Sequence, residues 1–185
     1  MKAIECIKTR RSIRRYKDDP IPEDVIQEIL DCGRHAPSAH NRQPWAFVVV
    51  KDKKKIEKLS QTHQWAPFVA NAQVCIILCC TETQKDLNKS AMHLSVACAA
   101  QNMLLTIHNH GLGSCWTYVQ DSKGDKVEKK VKKILNIPKH IEVICMLPIG
   151  YPDQVRGEKP MKDLEDITHD EKWDKKKEKR SLQNR

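Results

Sequence analysis

The chain has 185 residues, 39 % hydrophobic and 31 % charged, with a formal net charge of +9. That length suits one domain, which buries roughly 70 % of its unfolded-chain surface and needs no metal or disulfide to hold a core. The longest apolar stretch, near residues 74–80, is far below the roughly 18 residues of a spanning helix, and the composition excludes global disorder.

In chain order, residues 3–8 read as a short helix that runs into the basic cluster Arg10, Arg11, Ser12, Arg14 and Arg15. The run 1–9 lacks the apolar core and cleavage site of a secretory signal. A second helix starts at Pro22, which suits the first helical position. Glu23 and Asp24 suit its positive end, Val25, Ile26, Ile29 and Leu30 form one apolar face, and Gly33 lies near its end. Pro37 forces a non-helical segment, followed by a valine-rich strand at 45–50. A short helix with Ile56 and Leu59 inside and lysines outside precedes a buried strand at 74–80. The longest helix is expected over 83–108, with Leu87, Ala91, Leu94, Cys98, Gln101 and Leu105 as an apolar row and enough apolar surface for a central or interface helix.

Gly111 and Gly113 turn the chain into a third strand at 114–119. A helix with Val127, Val131, Ile134 and Leu135 inside follows, then a fourth strand at 141–147. Residues 153–170 look like an extended arm. Four strands among four or more helices predict an α+β or three-layer fold. The expected domain is 1–170 with its arm from about 153, leaving 171–185 as a basic tail. That tail carries seven Lys/Arg against three Asp/Glu, so nearly half of the net positive charge sits there. With the excess in a terminus and no basic face interleaved with aromatics, no nucleic-acid role is expected. The eight cysteines show no two-residue gap of the kind metal and redox motifs use. They read as reduced thiols in a cytoplasmic protein, with no metal site.

Three segments are polar beside regular elements. Arg10, Arg11, Ser12 and Arg14 offer guanidinium groups and a hydroxyl that suit a dianionic phosphate; a basic run at a helix end equally serves as a solvated face. Residues 37–45 hold Ser38, Asn41 and Gln43 between prolines, with the donors and acceptors that a heteroaromatic ring edge requires, or else form a well-made turn before Trp45. Residues 111–118 allow close backbone approach, but lack a third glycine and lead from helix to strand, so they are not a dinucleotide fingerprint.

In order and spacing, "TRRSIRRY", "APSAHNRQPWAF", "HGLGSCW", "IGYP" and "EKPMKDLEDITHDEKW" resemble the nitroreductase family over about residues 4–173. The resemblance implies a three-layer sandwich with a mainly antiparallel central sheet flanked by helices. It also implies a homodimer with FMN at its interface and a C-terminal arm wrapped around the other subunit. Carried over residue by residue, it puts Arg10, Arg11, Ser12 and Arg14 on the FMN phosphate and ribityl chain, joined by Lys159 from the arm. Pro37, Ser38, Asn41 and Gln43 line the isoalloxazine, and Cys115, Trp116, Thr117 and Tyr118 pass the ring. Met161 stands where members often have arginine, with Lys162 as its substitute, and Thr117 and Tyr118 replace a hydrophobic residue and glycine.

The implied activity is hydride transfer from NADH or NADPH to FMN and on to a small acceptor such as a nitroaromatic or quinone. No catalytic acid or base is assigned: His40 reads as a turn residue and Cys115 as a packing thiol. The alternatives are an FMN-binding or redox-sensing protein with little turnover, or an ene-reductase or dehalogenase on the same fold.

Overall fold

The computed structural model describes residues 1–82, 88–119 and 126–174. Helix α1 (Ala3–Thr9) ends where Arg10 turns to extended backbone. Helix α2 (Glu23–Arg34) follows Pro22, with Glu23 and Asp24 in its first turn and Ile26, Ile29 and Gly33 buried. Strand β1 (Trp45–Val50) leads to α3 (Lys53–Ser60), whose N-cap Asp52 accepts the Lys55 N–H at 3.0 Å. Strand β2 (Val74–Cys80) is buried at every position, as a strand covered on both faces must be.

Helix α4 (Lys89–Asn109) starts behind Asn88, whose side chain accepts the Ala91 N–H at 3.2 Å. The expected start at 83 falls on residues 83–87, outside the described residues. The side that faces the sheet differs from the expected row. Met92, Val96, Ala99, Ala100, Met103 and Ile107 are buried, whereas Leu94 is 67 % exposed and Gln101 is exposed. The helix is apolar nearly all round, so periodicity could not choose between its two rows.

The expected third strand is two short pieces, β3 (Gly113–Ser114) and β4 (Thr117–Tyr118). Helix α5 (Lys126–Leu135) then leads to β5 (Glu142–Gly150), longer than the expected 141–147. Gly113 pairs with Gly150 and Thr117 with Met146, so the break at Cys115 lies opposite Pro148. Proline has no N–H to continue the ladder. A short helix α6 (Leu164–Ile167) lies in the arm.

All strand pairs are antiparallel, in the order β1-β2-β5-β3 with β4 also on β5. Helices α2 and α4 cover one face against Ile76, Leu78, Leu147 and Ile149. Helices α3 and α5 cover the other against Cys75, Ile77, Cys79 and Met146. This is the three-layer α+β sandwich that the sequence implied. A register shift opposite Leu78 and Cys79 leaves Ile144 as an extra residue. That bulge explains why both Ile144 and Cys145 face the α4 side. Strand β1 is an edge, bordered by a groove of about 540 Å³ between α2 and the end of α5. No helix among the described residues is long and apolar enough to cross a membrane.

Candidate functional site

The segment 10–16 is anchored from both sides. Ser12 bridges to Ser114 in parallel and the Ile13 N–H donates to the Ser114 carbonyl at 2.9 Å. Tyr16 bridges to Pro152, and the Arg15 carbonyl accepts the Asp153 N–H at 2.9 Å. Ile13 and Tyr16 point into the core; the Tyr16 hydroxyl donates to the carbonyls of Ile13 (2.7 Å) and Pro148 (3.2 Å). Burial drives the Tyr16 pKa far above its ordinary value, so it stays a neutral donor. With Ile13 and Tyr16 turned inward, the arginines between them must face outward.

Arg10, Arg11, Ser12 and Arg14 line a cavity of about 410 Å³ with Arg156, Gly157, Glu158, Lys159 and Pro160. Lys159 thus lies beside the N-terminal cluster, while Lys162 stands exposed further along the arm and is absent from this lining. The only acid in the lining is Glu158, and neither Arg10 nor Arg14 makes an ion pair with any of the described residues. Such a donor set fits a dianion. Burial first, and then the charges of Arg10 and Arg11, hold the pKa of His108 below the usual histidine range, which registers the positive potential here.

Arg11 acts differently from its neighbours. Its Nη1 donates to the carbonyls of Lys8 (2.9 Å) and Arg10 (3.1 Å), and its Nε donates to the Gly157 carbonyl at 3.1 Å. It ties the start of the arm to the end of α1.

Arg14 is shared with a second cavity of about 190 Å³, lined also by His63, Trp65, Phe68, Cys115, Trp116, Thr117 and Tyr118. The Arg14 guanidinium lies over the Phe68 ring at 5.7 Å. An anion site and an aromatic-walled slot therefore adjoin along one wall, which is the order of groups in a flavin mononucleotide. Cys115 is buried and directs its thiol at the Trp116 carbonyl (3.6 Å). His63, Trp65 and Phe68 were not singled out from sequence. Their signal is the aromatic-rich "HQWAPF" before β2, which follows no spacing rule.

Pro37, Ser38, Asn41 and Gln43 lie in neither lining. Ser38 Oγ accepts the Gln43 N–H at 3.0 Å, and His40, Asn41 and Gln43 all have φ near +50°. Three left-handed non-glycine residues in four positions hold strain, of the kind that gathers at ligand clamps. The Asn41 side chain has no hydrogen-bond partner among the described residues. Arg42, by contrast, pairs with Glu82 at 2.5 Å and anchors the segment.

Helix α4 measures the separation of the two regions. The Ala39 N–H donates to Ser95 Oγ at 3.2 Å, whereas Thr9 meets His108 at 2.8 Å. Those anchors are 13 residues apart, about 20 Å along a helix axis. The segments also flank opposite edges of the sheet, one leading into β1 and the other beside β3. No group of three or more His, Cys, Asp or Glu among the described residues could hold a metal ion.

Comparison with known proteins gives the family and the fold. A sequence model of the nitroreductase family matches residues 7–73 and 60–151. A Methanothermobacter thermautotrophicus protein, provisionally named an NADH dehydrogenase/NAD(P)H nitroreductase, is 38 % identical over 173 residues, covering 94 % of this chain and 88 % of that one. The structure of an FMN-dependent nitroreductase from Clostridium difficile superimposes with a TM-score of 0.81 at 30 % identity, covering 92 % of this chain and 99 % of that one. A provisionally named nitroreductase from Desulfovibrio desulfuricans, solved in complex with FMN, gives 0.79 at 26 % identity, covering 94 % and 99 %. The chain belongs to the nitroreductase family.

Proposed function

We propose that this protein is an FMN-dependent oxidoreductase that takes a hydride from NADH or NADPH and passes it to a small acceptor such as a nitroaromatic or quinone. The observation that carries the reading is the adjacency of the cationic and aromatic cavities through Arg14. Arg10, Ser12, Arg14 and Lys159 would hold the phosphate, with Arg156 beside them. Arg11 would position Gly157 and the residues after it. The stretch 115–118 with His63, Trp65 and Phe68 would take the ring. The chemistry that FMN supplies when bound is hydride acceptance and donation; the protein supplies orientation and electrostatics.

The reading includes a homodimer. The 20 Å scale set by α4 separates Ala39 from Thr9, and Ser38, Asn41 and Gln43 line neither cavity that Arg14 joins. If both sets touch one flavin, the second set comes from a partner. The exposed row on α4, with Leu94 67 % accessible, and Ile4 and Ile7 on α1 supply apolar surface for that contact. Val155, Met161, Leu164 and Trp173 are exposed along the arm, which suits an arm that wraps a neighbour. Residues 175–185, most of the expected basic tail, lie outside the described residues. Eight free thiols suit the cytoplasm.

The test is anaerobic stopped-flow reduction of the FMN-loaded protein by each nicotinamide, followed by a panel of acceptors. Bleaching of the flavin absorbance and its return on adding acceptor is the expected result. If neither nicotinamide bleaches a flavin that is demonstrably bound, the reductase reading is wrong. Light scattering of the loaded protein should give twice the 21.4 kDa chain mass.

A further inference from the structure

Within the aromatic cavity one side chain is already arranged as a donor. The Trp65 backbone N–H donates to His63 Nδ1 at 3.0 Å. Nδ1 is therefore the acceptor nitrogen, and the neutral imidazole carries its proton on Nε2. Nε2 has no hydrogen-bond partner among the described residues, and His63 lines the cavity wall. The loop that presents it is held by Pro67 and by the Ala66 N–H donating to the His63 carbonyl at 3.1 Å. Tautomer and orientation are both set by the chain before any ligand arrives.

The rest of the wall is mostly aromatic, from Trp65, Phe68, Trp116 and Tyr118, with Arg14 and Thr117 as its other polar members. Trp65 is 74 % and Tyr118 56 % exposed at the rim, with Phe68 beneath Arg14. A cavity of about 150 Å³ already accepts a benzene-sized ligand, so about 190 Å³ takes one six-membered ring, either a single-ring substrate or the end ring of a larger fused system.

We propose that His63 donates a hydrogen bond from Nε2 to an oxygen of a planar ring held between these aromatic side chains, and so selects oxygen-bearing rings over bare hydrocarbons. The inference rests on the FMN oxidoreductase reading and adds a ligand-contacting residue to it. The ring oxygen has two possible sources with the same chemistry: a carbonyl of the isoalloxazine, or a carbonyl or nitro oxygen of the second substrate. In either case a ring without an acceptor leaves the donor unpaired, and sites built to hydrogen-bond a ligand reject analogues lacking the group.

Two substitutions test this. His63→Leu removes the donor at similar bulk, and His63→Gln replaces it with an amide N–H of similar reach. For each, the Kd of apoprotein for FMN is measured by fluorescence titration, and KM and kcat for a benzoquinone are measured at saturating FMN. Circular dichroism reports the fold. One lost hydrogen bond corresponds to a change of about tenfold. His63→Leu is expected to raise either the FMN Kd or the quinone KM by that factor, with His63→Gln staying within about threefold of wild type. A shift in FMN Kd assigns the oxygen to the flavin; a shift in KM at unchanged FMN Kd assigns it to the second substrate. The proposal is overturned if both constants of His63→Leu stay within about twofold of wild type, or if Gln is as damaging as Leu. Failure of the wild-type apoprotein to take up FMN would instead overturn the oxidoreductase reading and this proposal with it.

Discussion

Replacing Gly113 by alanine tests whether the arginines proposed to hold the phosphate are placed by the packing of β3. A Cβ built there lies 2.7 Å from both Cβ and Cγ2 of Ile13 and 2.9 Å from Cγ1. Carbon atoms rest about 3.5–4.0 Å apart, so the two strands must separate by roughly 0.8 Å or more. Ile13 cannot turn away, because its crowded Cβ is fixed to the backbone. Its displacement therefore carries Ser12 and Arg14 with it. Overpacking of this kind costs about 1–3 kcal/mol, equivalent to a fall of roughly 2–12 °C in Tm for a domain of this size. Loss of one charge-assisted contact to phosphate should weaken FMN binding on the order of tenfold. Gly111→Ala is the matched control. Its φ is +72° with nothing within 4 Å of the added carbon, so it adds backbone strain of about 1 kcal/mol without pushing on the segment. Differential scanning calorimetry and FMN titration of both variants decide the matter. An unchanged FMN Kd in Gly113→Ala, with or without a lower Tm, would refute the claim that this packing sets the arginines.

Other consequences can be measured alongside. Arg11→Ala should release the start of the arm from α1, so limited proteolysis around residues 155–162 quickens and FMN affinity falls severalfold while Tm changes little. Equal cleavage rates would show that the Gly157 contact holds nothing. Glu128 is 7 % exposed, accepts the Val143 N–H at 2.9 Å and pairs with Lys132 at 2.7 Å. Lys132 is only part-buried and also donates to the Lys139 carbonyl, so the main loss in Glu128→Ala is the buried Val143 N–H left without its acceptor, about 1–3 kcal/mol in thermal unfolding. Glu142 gives a pH signature. Burial is the largest influence on it and raises its pKa, but hydrogen bonds and charges from Lys89 and His93 together outweigh burial and lower it. A carboxylate held below its unfolded pKa contributes stability fully above about 4.5, and loses it as pH falls through the folded value. Urea titrations from pH 7 to 3 should show Glu142→Gln with a shallower loss of stability than wild type.

Some of this was readable from residues alone. Strand β2 is apolar at all seven positions because layers cover both faces, and α2 displays proline, acids and one apolar row in order. What escaped depends on partners distant in the chain. The break between β3 and β4 follows from Pro148, over thirty residues later. The packed face of α4 was hidden because both faces are apolar, and only the sheet selects one. At the site, the arginine cluster was visible as composition, but its pairing with Lys159 came through resemblance. The latch from Arg11 to Gly157 spans 146 positions and follows no motif. His63 was passed over because a donor nitrogen is defined by a backbone contact two residues away, which no pattern of letters encodes.

The open side of β1 also bears on how the protein survives crowding. Its sequence, WAFVVV, is short, β-branched and uncharged, the composition of segments that seed cross-strand association when a sheet edge is bare. The flanks carry the counterweight. Pro44 stands before the strand, Lys51 follows it, and Lys55 sits on the same groove. Proline withholds a donor from an incoming strand, and ammonium groups make its approach costly in free energy. Lys51 is also ion-paired with Glu23 of α2, which fixes that charge at the lip of the edge. Colloidal behaviour and tertiary packing thus share one side chain. Neutralising Lys51 and Lys55 would leave the fold standing and remove its guard against self-association.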